Sequence, residues 1–408
     1  MHCDCNGFFA SVEILMNPAL ASVPMAVAGD PEDRHGIILA KNELAKKYGI
    51  QTAETIHSAK QKCPGLVCVL PHHGKYQEIS RLVNKIYLDY TDLVDPFGID
   101  ESFLDVTGSM RLFGCSPREL ADRIRERVKR EIGITISVGV SFCRVFAKLG
   151  SDYKKPDATT VIDRDNYREI AHPLPVSAML FAGKRTTEAL RNMGIISIGD
   201  LARADRARIS QRLGEMGDTL WRYANGLDDE PVRSYYDRPT PKSVGNGMTF
   251  RRDISGESEI RAGVMALCDS VAARLRGEDR KATVVQVQIK TPDFRTVQRQ
   301  CTLKRATWLR VELIEHAMEL IRAAVGYGTA IRTLTVTAGG LVPPGEAEEQ
   351  LDIFSQPSDT PSKKEAVEDA LAAIHQKHGR TSISLGYFQN AEIGTGKQKK
   401  PENKHEKD

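Results

Sequence analysis

The stretch GIDESFLDVT at residues 98–107 is central to the predicted fold, and two adjacent carboxylates, Asp100 and Glu101, occupy a turn beside a strand in it. The apolar residues on the two sides of this turn predict a β-hairpin. Residues 1–5 predict another short strand, and Asp4 lies near its end. The sequence therefore places carboxylates at the ends of two strands.

Helices and strands alternate along the chain on both sides of this hairpin. Apolar residues recur at helical spacing in residues 76–88 and again in 120–128, whereas residues 134–140 alternate as in a strand. The resulting order β-α-β-β-α-β predicts a ferredoxin-like sheet. In such a sheet the strand of Asp4 neighbours the hairpin, so we expect the three carboxylates to converge at one end.

Composition limits the class of protein. With 408 residues, of which 41% are hydrophobic, the chain is expected to fold as two to four domains. No stretch approaches the roughly 18 apolar residues of a membrane span, so a cytoplasmic protein is expected. The eight cysteines include no C-x-x-C pair, which fits a reducing compartment. Cys3 and Cys5 raise the alternative of a zinc site, but no second pair follows at finger spacing.

The second half of the chain contains a segment predicted to be helical, then a basic segment, and then a segment with more acidic than basic residues. Residues 172–230 predict a small helical domain with glycines at its turns: Gly183, Gly194, Gly199, Gly214, Gly217 and Gly226. From Lys242 to Arg332 there are sixteen Lys/Arg against ten Asp/Glu, whereas residues 336–408 carry nine against twelve. A basic segment is often only a solvated face, but arginines at strand-like spacing also suit a phosphate-contacting surface.

Two motifs carry a resemblance to a known family. Residues 2–13, HCDCNGFFASVE, resemble the first signature of Y-family DNA polymerases, and residues 98–107 resemble the second. Further matches follow at residues 40–49, 138–141, 145–148 and 153–156. The resemblance covers about residues 1–340 and is strongest with the bacterial members of the family.

The resemblance implies an α+β multidomain enzyme. Its parts are a ferredoxin-like palm, small fingers, a helical helix-hairpin-helix thumb and a separate α/β little finger domain. The expected bounds are 1–7 and 72–162 for the palm, 8–71 for the fingers, 163–232 for the thumb, 233–242 for a linker, 243–341 for the little finger and 342–408 for a tail.

The implied activity is template-directed, DNA-dependent DNA synthesis of the low-fidelity, translesion type, without proofreading. Asp4, Asp100 and Glu101 match the family's catalytic, metal-binding carboxylates, and the backbone carbonyl of Cys5 matches a further ligand. Oxygen ligands suit Mg²⁺, and two such ions would clamp the attacking and leaving oxygens of a phosphoryl transfer. Without the resemblance, an Asp-Glu pair in a turn is usually only a solvated loop.

The resemblance also implies a nucleotide site. Phe9 matches the steric gate that excludes a ribonucleotide's 2′-hydroxyl, with Phe8 beside it; without the resemblance Phe9 would be a core aromatic. Lys46 and Lys155 match the cations that hold the triphosphate. Two positions depart from the family pattern: Glu43 replaces a common tyrosine, and Lys46 replaces a common arginine. Lys46 is three residues from Glu43 on a helix and is expected to neutralise it.

Further residues match the family's DNA and clamp contacts. In the thumb these are Gly183, Lys184 and Arg185, although Arg185 stands where a second glycine is usual. The candidate phosphate contacts of the little finger are Arg251, Arg252, Lys290, Arg295 and Arg332. The peptide of Gln350, Leu351, Asp352, Ile353 and Phe354 resembles the segment with which bacterial polymerases dock on the sliding clamp (the β subunit). The expected partners are thus primer-template DNA, a dNTP and the clamp, for a monomer without a membrane partner.

Two alternatives remain beside an active polymerase. One is a catalytically impaired, DNA-binding relative that docks on the clamp; intact Asp4, Asp100 and Glu101 argue against it. The other is a nucleotidyl cyclase, which would leave the basic domain and the helical domain without a purpose. Relatives have a longer first strand, so we also expect that the natural start lies upstream of Met1.

Overall fold

The computed structural model describes residues 1–30, 36–237, 239–346, 360–379 and 382. The chain divides into two compact units, Met1–Arg238 and Pro239–Asp408. The division falls inside the linker predicted at residues 233–242. Each unit has its own hydrophobic core.

The first 71 residues contain the opening strand and a small α/β insert. Their elements are β1 (His2–Cys5), α1 (Phe8–Met16), a 3-10 turn (Pro18–Ser22), β2 (Met25–Ala28), β3 (Ile38–Lys41), α2 (Glu43–Lys46), α3 (Ile56–Lys62) and β4 (Val67–Val69). β2 is antiparallel to β3 and parallel to β4. Small buried residues of this sheet and of α2 and α3, such as Ala26, Ala45 and Ala59, let the helices pack closely on it.

Residues 72–162 complete the sheet that β1 begins, which we call the palm sheet. Their elements are α4 (His73–Leu88), β5 (Val94–Pro96), β6 (Glu101–Leu104), α5 (Met110–Phe113), α6 (Pro117–Ile132), β7 (Ile136–Ser141), α7 (Arg144–Tyr153) and β8 (Thr159–Ile162). The sheet has the order β5-β6-β1-β7-β8. The first four strands have the ferredoxin-like order, which confirms that prediction, and β8 adds a parallel fifth strand beside β7.

Helix α6 forms as its sequence predicts. Ser116 and Glu119 make a capping box at its start, and Gly133 ends it in the left-handed conformation. Leu120, Ile124 and Val128, which share one face, are fully buried. The amphipathic pattern therefore gave both the helix and its buried face.

Helix α7 lies unusually close to β7. A Cβ atom added to Gly139 would lie 1.8 Å from the carbonyl oxygen of Ala147, and one added to Gly150 would lie 3.2 Å from the Cα of Gly139. Real Cβ atoms do not approach as closely as 1.8 Å, so position 139 must lack a side chain, whereas a Cβ at position 150 would make a tight contact. The contact fixes the position of α7 over the sheet.

The helical domain that the sequence predicted at residues 172–230 is present. Its elements are α8 (Tyr167–Ala171), a 3-10 turn (Val176–Ala178), α9 (Lys184–Arg191), α10 (Ile198–Arg203), α11 (Arg206–Leu213) and α12 (Glu215–Ala224). Two glycines do not lie at turns as we expected: Gly199 is inside α10 and Gly217 is inside α12. A Cβ at Gly217 would lie 2.7 Å from the carbonyl oxygen of Ile209, so this glycine permits a close helix contact.

The second unit is a four-stranded antiparallel sheet with helices on one face. Its elements are β9 (Ser243–Ile254), α13 (Glu257–Gly277), β10 (Lys281–Lys290), β11 (Thr296–Thr307), α14 (Arg310–Val325), β12 (Ile331–Val342), a 3-10 turn (Pro344–Glu346) and α15 (Thr360–His378). The strand order is β11-β10-β12-β9. The sequence predicted β10, β12 and the helices α13 and α14, but neither β9 nor β11.

The face of this sheet that does not pack on α13 and α14 carries two rows of uncharged side chains. One row crosses all four strands through Gln300, Gln286, Thr337 and Gly245. The next row crosses them through Gln298, Gln288, Thr335 and Gly247. We call these eight residues the glutamine-threonine rows. Cations lie at one end of the sheet, where Lys290 and Arg332 contact the ring of Phe294.

Candidate metal and nucleotide site

The register of the palm sheet brings the predicted carboxylates together. β1 and β6 pair so that Asp4 lies directly opposite Glu101. Asp100 occupies the turn before β6, where its carbonyl oxygen accepts a hydrogen bond of 2.9 Å from the Cys5 backbone N–H. Three acidic side chains that are distant in sequence thus meet at one end of the sheet.

A histidine that we did not predict joins this cluster. Ligand atoms of His2, Asp4 and Glu101 all lie within 4.8 Å of one another. The buried His2 ring contacts Ser151 Oγ at 2.8 Å through Nδ1, and its Nε2 lies 3.4 Å from Glu101 Oε2. Burial lowers the pKa of His2. Alternation along β1, which puts residues 2 and 4 on one face, was the available signal.

The two adjacent carboxyl groups have pKa values shifted in opposite directions. Burial, together with the negative charges of Asp4 and Glu101, raises the pKa of Asp100. The contact with His2, followed by that with Lys148, lowers the pKa of Glu101 to about 2. Glu101 is therefore ionised in the folded protein at neutral pH, and the ionised form of Asp100 is less favoured than that of an exposed aspartate.

Two lysines, one on α7 and one just after this helix, face these carboxylates. Lys155 Nζ lies 2.7 Å from Asp4 Oδ1, and Lys148 Nζ lies 3.0 Å from Asp4 Oδ2. Both lysines also contact Asp152, at 2.8 and 3.3 Å. We had predicted a role for Lys155 only. We did not predict the pair of Lys148 and Asp152. These residues are one helical turn apart, and this spacing was the only sequence signal for their contact.

A cavity of about 370 Å³ opens beside the carboxylates. Its lining includes Asp4, Asp100 and Lys155 on the palm side and Phe9 and Lys41 on the fingers side. A larger cavity of about 690 Å³ is lined by residues such as Met1, Val140 and Asp228 and includes none of the three predicted carboxylates. The titratable groups converge on the smaller cavity, which makes it the candidate nucleotide site.

The ring of Phe9 is held by a second aromatic ring. Phe9 stacks on Tyr76 with ring centroids 4.2 Å apart and an interplanar angle of 12°. The Tyr76 hydroxyl donates a short hydrogen bond to Glu13, whose buried carboxylate also contacts His72 at 3.0 Å. Phe8 is buried next to Phe9 and also lines the cavity. Sequence analysis found the two phenylalanines but not Tyr76 and Glu13.

The departures from the family pattern lie on α2. Lys46 Nζ contacts Glu43 Oε1 at 3.4 Å, as the helical spacing predicted. Both side chains are exposed, and neither is among the residues that line the cavity. Lys41, from the preceding strand, does line it and was not predicted.

The predicted DNA-contacting residues lie on the surfaces of both units. Gly183 precedes α9, and Lys184 and Arg185 begin it. Arg251 and Arg252 lie on β9, Lys290 ends β10, Arg295 precedes β11 and Arg332 lies on β12. Arg252 is paired with Glu259. The clamp-like peptide of Gln350, Leu351, Ile353 and Phe354 lies outside the described residues.

Comparison with known proteins identifies the family. The family model described as the impB/mucB/samB family matches residues 3–152, and the model of its C-terminal domain matches residues 241–353. DNA polymerase IV of Acetivibrio thermocellus is 42% identical over 386 residues, which cover 95% of this chain and 96% of that protein. DNA polymerase IV 1 of Bacillus subtilis is 34% identical over 387 residues, covering 94% and 92%.

A solved structure has the same fold. A Y-family DNA polymerase chimera superposes with a TM-score of 0.73 at 20% identity and covers 84% of this chain and 98% of its own. The chain therefore belongs to the impB/mucB/samB family. It is a DNA-directed DNA polymerase of the Y-family, similar to the DNA polymerase IV enzymes. Among its described residues, no helix is long and apolar enough to cross a bilayer.

Proposed function

We propose that this polymerase carries out low-fidelity translesion synthesis with two Mg²⁺ ions and without proofreading. It transfers a nucleotide from a dNTP to the primer 3′-hydroxyl and releases pyrophosphate. The observation that carries the proposal is the strand register that sets Asp4 opposite Glu101. Asp4 also lines a cavity together with Asp100 and Lys155, so carboxylates and a cation face the same space.

The donor set fits magnesium. Asp4, Asp100, Glu101 and the backbone carbonyl of Cys5 offer the hard oxygen atoms that Mg²⁺ prefers. Burial, and then the negative charges of Asp4 and Glu101, raise the pKa of Asp100, and a bound divalent cation would favour its ionised form. When bound, two ions would activate the attacking hydroxyl and neutralise charge on the transferring phosphoryl group.

The chain's own cations would bind the triphosphate. Lys155, whose ammonium already faces the cavity, would act on the phosphates as a point charge. Lys46, with Glu43 beside it, would contact the outer phosphates from the exposed surface of α2. The two lysines would thus hold the triphosphate tail while the palm carboxylates act on the reacting phosphate.

The ring of Phe9 would select the sugar. A ribonucleotide differs from a deoxynucleotide by one hydroxyl group, and rejecting it requires a rigid wall at the C2′ position. Stacking on Tyr76 makes Phe9 rigid, since Tyr76 is itself anchored to a buried carboxylate. A gate supported in this way excludes the larger sugar by steric contact.

The remaining partners are assigned to surfaces. Gly183, Lys184 and Arg185 of the thumb would contact DNA phosphates, as would the basic residues of the second unit. The peptide Gln350–Phe354 would dock on the sliding clamp, and the enzyme would act as a monomer. All eight cysteines are free thiols, which supports a place in the reducing cytoplasm.

The absence of proofreading rests on the arrangement of acidic residues. Within the part of the chain that the structure describes, one group of three side chains could hold a metal ion, and it contains Asp4 and Glu101. A 3′-exonuclease would need a carboxylate-metal site of its own. Incubation of a 3′-labelled primer with Mg²⁺ and without dNTPs tests this part of the proposal, because shortening of the primer would contradict it.

The decisive experiment is primer extension with Mg²⁺ and dNTPs. The double variant Asp100→Ala/Glu101→Ala should lose extension, while Asp229→Ala/Glu230→Ala, an adjacent acidic pair outside the cavity, should retain it. Equal extension by the wild type and the Asp100/Glu101 variant would show that the metal assignment is wrong.

A further inference from the structure

The ammonium group of Lys148 contacts three carboxylates at once. Its Nζ lies 3.0 Å from Asp4 Oδ2, 2.7 Å from Glu101 Oε2 and 3.3 Å from Asp152 Oδ2. The side chain is mostly shielded from solvent, with a relative exposure of 18%. Because the charges are partly buried, these contacts are stronger than ion pairs on an open surface.

Two of these partners are the carboxylates to which we assign metal binding. Mg²⁺ requires its oxygen ligands at about 2.0–2.1 Å. An ion held by Asp4 Oδ2 and Glu101 Oε2 together would have to lie between them, where Lys148 Nζ now makes its two shortest contacts. The ammonium group and the ion therefore compete for the same two oxygens.

The third partner gives the ammonium group another position. Asp152 is one helical turn from Lys148 on α7 and does not belong to the group of metal-ligating side chains. It also contacts Lys155 Nζ at 2.8 Å. When Lys148 leaves Asp4 and Glu101, Asp152 can still pair with it, so displacement does not leave a buried charge without a partner.

We infer that Lys148 is a positioning residue that competes with the divalent ion for Asp4 and Glu101, and that Asp152 holds it after displacement. This inference rests on the proposed metal site. Lys148 prevents mutual repulsion of the two carboxylates and keeps them converged. It also weakens the binding of free metal, which favours entry of the ion together with the nucleotide's own negative charges.

The test measures metal affinity rather than activity. Mn²⁺ binding to the full chain without DNA or dNTP can be followed by the electron paramagnetic resonance signal of the free ion. Lys148→Met should bind Mn²⁺ about tenfold more tightly than the wild type. Lys148→Arg, which keeps the charge, should bind like the wild type. Unchanged or weaker binding by Lys148→Met would overturn the inference.

Two controls separate the possible causes. Lys154→Met removes the same charge from an exposed neighbour outside the carboxylate cluster, so it should leave Mn²⁺ affinity within about twofold of the wild type. If it tightens binding as much as Lys148→Met, net charge explains the effect and direct competition is wrong. Lys148→Gln gives the same test if the methionine variant does not fold.

A third variant distinguishes this inference from the proposed function. Asp4→Asn should abolish tight Mn²⁺ binding in the wild-type background. If it does not, the metal site itself is misassigned and the proposed function loses its support. If Asp4→Asn behaves as expected but Lys148→Met does not, only the role of Lys148 is wrong.

Discussion

Charged side chains are distributed in opposite ways at the catalytic end of the palm sheet and on the uncovered face of the second unit's sheet. In the palm, Asp4 and Glu101 face each other and are contacted by the ammonium of Lys148. In the second unit, the middle of the face consists of the glutamine-threonine rows, and Lys290 and Arg332 are confined to one end. The palm site concentrates charge, whereas the two central rows of the other surface are uncharged.

The difference follows from what each surface would bind. Holding a metal ion requires several carboxylates within a few ångströms, and each charge taken out of water needs a partner. A DNA backbone instead offers repeated phosphates and requires no convergence. Amide and hydroxyl groups can donate hydrogen bonds to such phosphates without preference for sequence. Dense charge thus indicates the site of chemistry, and the uncharged rows suit a surface along which DNA is moved.

The largest expected effect tests the palm side of this comparison. Asp4→Asn should lower the rate of nucleotide addition by about 10³ or more, since a neutral amide cannot replace a metal-binding carboxylate. DNA binding, measured by fluorescence anisotropy, should stay within about twofold of the wild type. If the variant retained a tenth of the wild-type rate, Asp4 would not be a catalytic ligand.

The next effect concerns the sugar. Phe9→Ala should lower discrimination against ribonucleotides by about two orders of magnitude, because the rigid ring that excludes the 2′-hydroxyl is lost. Single-nucleotide incorporation with dNTP and rNTP measures the ratio of the two kcat/KM values. Phe113→Leu, a change at a partly buried aromatic residue that does not line this cavity, is the matched control and should leave this ratio nearly unchanged. Unaltered discrimination in Phe9→Ala would remove the gate assignment.

The adjacent carboxylates should differ in their effect on stability. At pH 7 in EDTA, Glu101→Gln should lower the free energy of unfolding by about 1–2 kcal/mol, since a carboxylate with a depressed pKa stabilises the fold. This contribution is present above pH 4.5 and disappears as the pH falls through about 2. Asp100→Asn should instead raise stability at pH 7, because the raised pKa means that the ionised form opposes folding.

Urea unfolding at pH 7 and at pH 3 provides the measurement for both variants. The deficit of Glu101→Gln should shrink at the lower pH, and so should the gain of Asp100→Asn. Two variants that shift stability in the same direction at pH 7 would contradict the opposite pKa shifts.

The smallest effect tests the second unit. Arg295→Gln should reduce the slope of log K against log salt for DNA binding by about one, because one phosphate contact is lost. Gln286→Ala, in the glutamine-threonine rows, should leave the slope unchanged while weakening binding slightly. If Gln286→Ala altered the slope as much as Arg295→Gln, the distinction between charged and uncharged parts of this face would fail.

The sequence predicted best those features that repeat at a regular interval. The face of α6 with Leu120, Ile124 and Val128 was found because three apolar residues recur at helical spacing. The strands β9 and β11 were missed because they contain few buried apolar residues, so the alternation is weak; these residues are Val244, Phe250, Ile254, Leu303 and Ala306. One-sided burial leaves too few apolar residues to mark a strand.

The sequence predicted the residues of the candidate site that lie in recognisable motifs, and it missed those that lie outside them. Asp4, Asp100 and Glu101 were identified by resemblance, and the structure places them at one end of the palm sheet. Tyr76 and Lys148 were missed, because each acts on a residue more than sixty positions away in the chain. Such partners leave no periodic signal and emerge only when the fold brings the elements together.

Because α7 packs directly on β7, the side chain at residue 139 determines where α7 lies relative to the catalytic carboxylates. A single methyl group at Gly139 would overlap the carbonyl oxygen of Ala147 and force the helix away from the sheet. Ser151 and Lys148, which touch His2 and the acidic residues from that helix, would move with it. Gly139→Ala adds one carbon atom in β7, away from the nucleotide cavity. We therefore expect this variant to be inactive although every side chain that lines the cavity is unchanged.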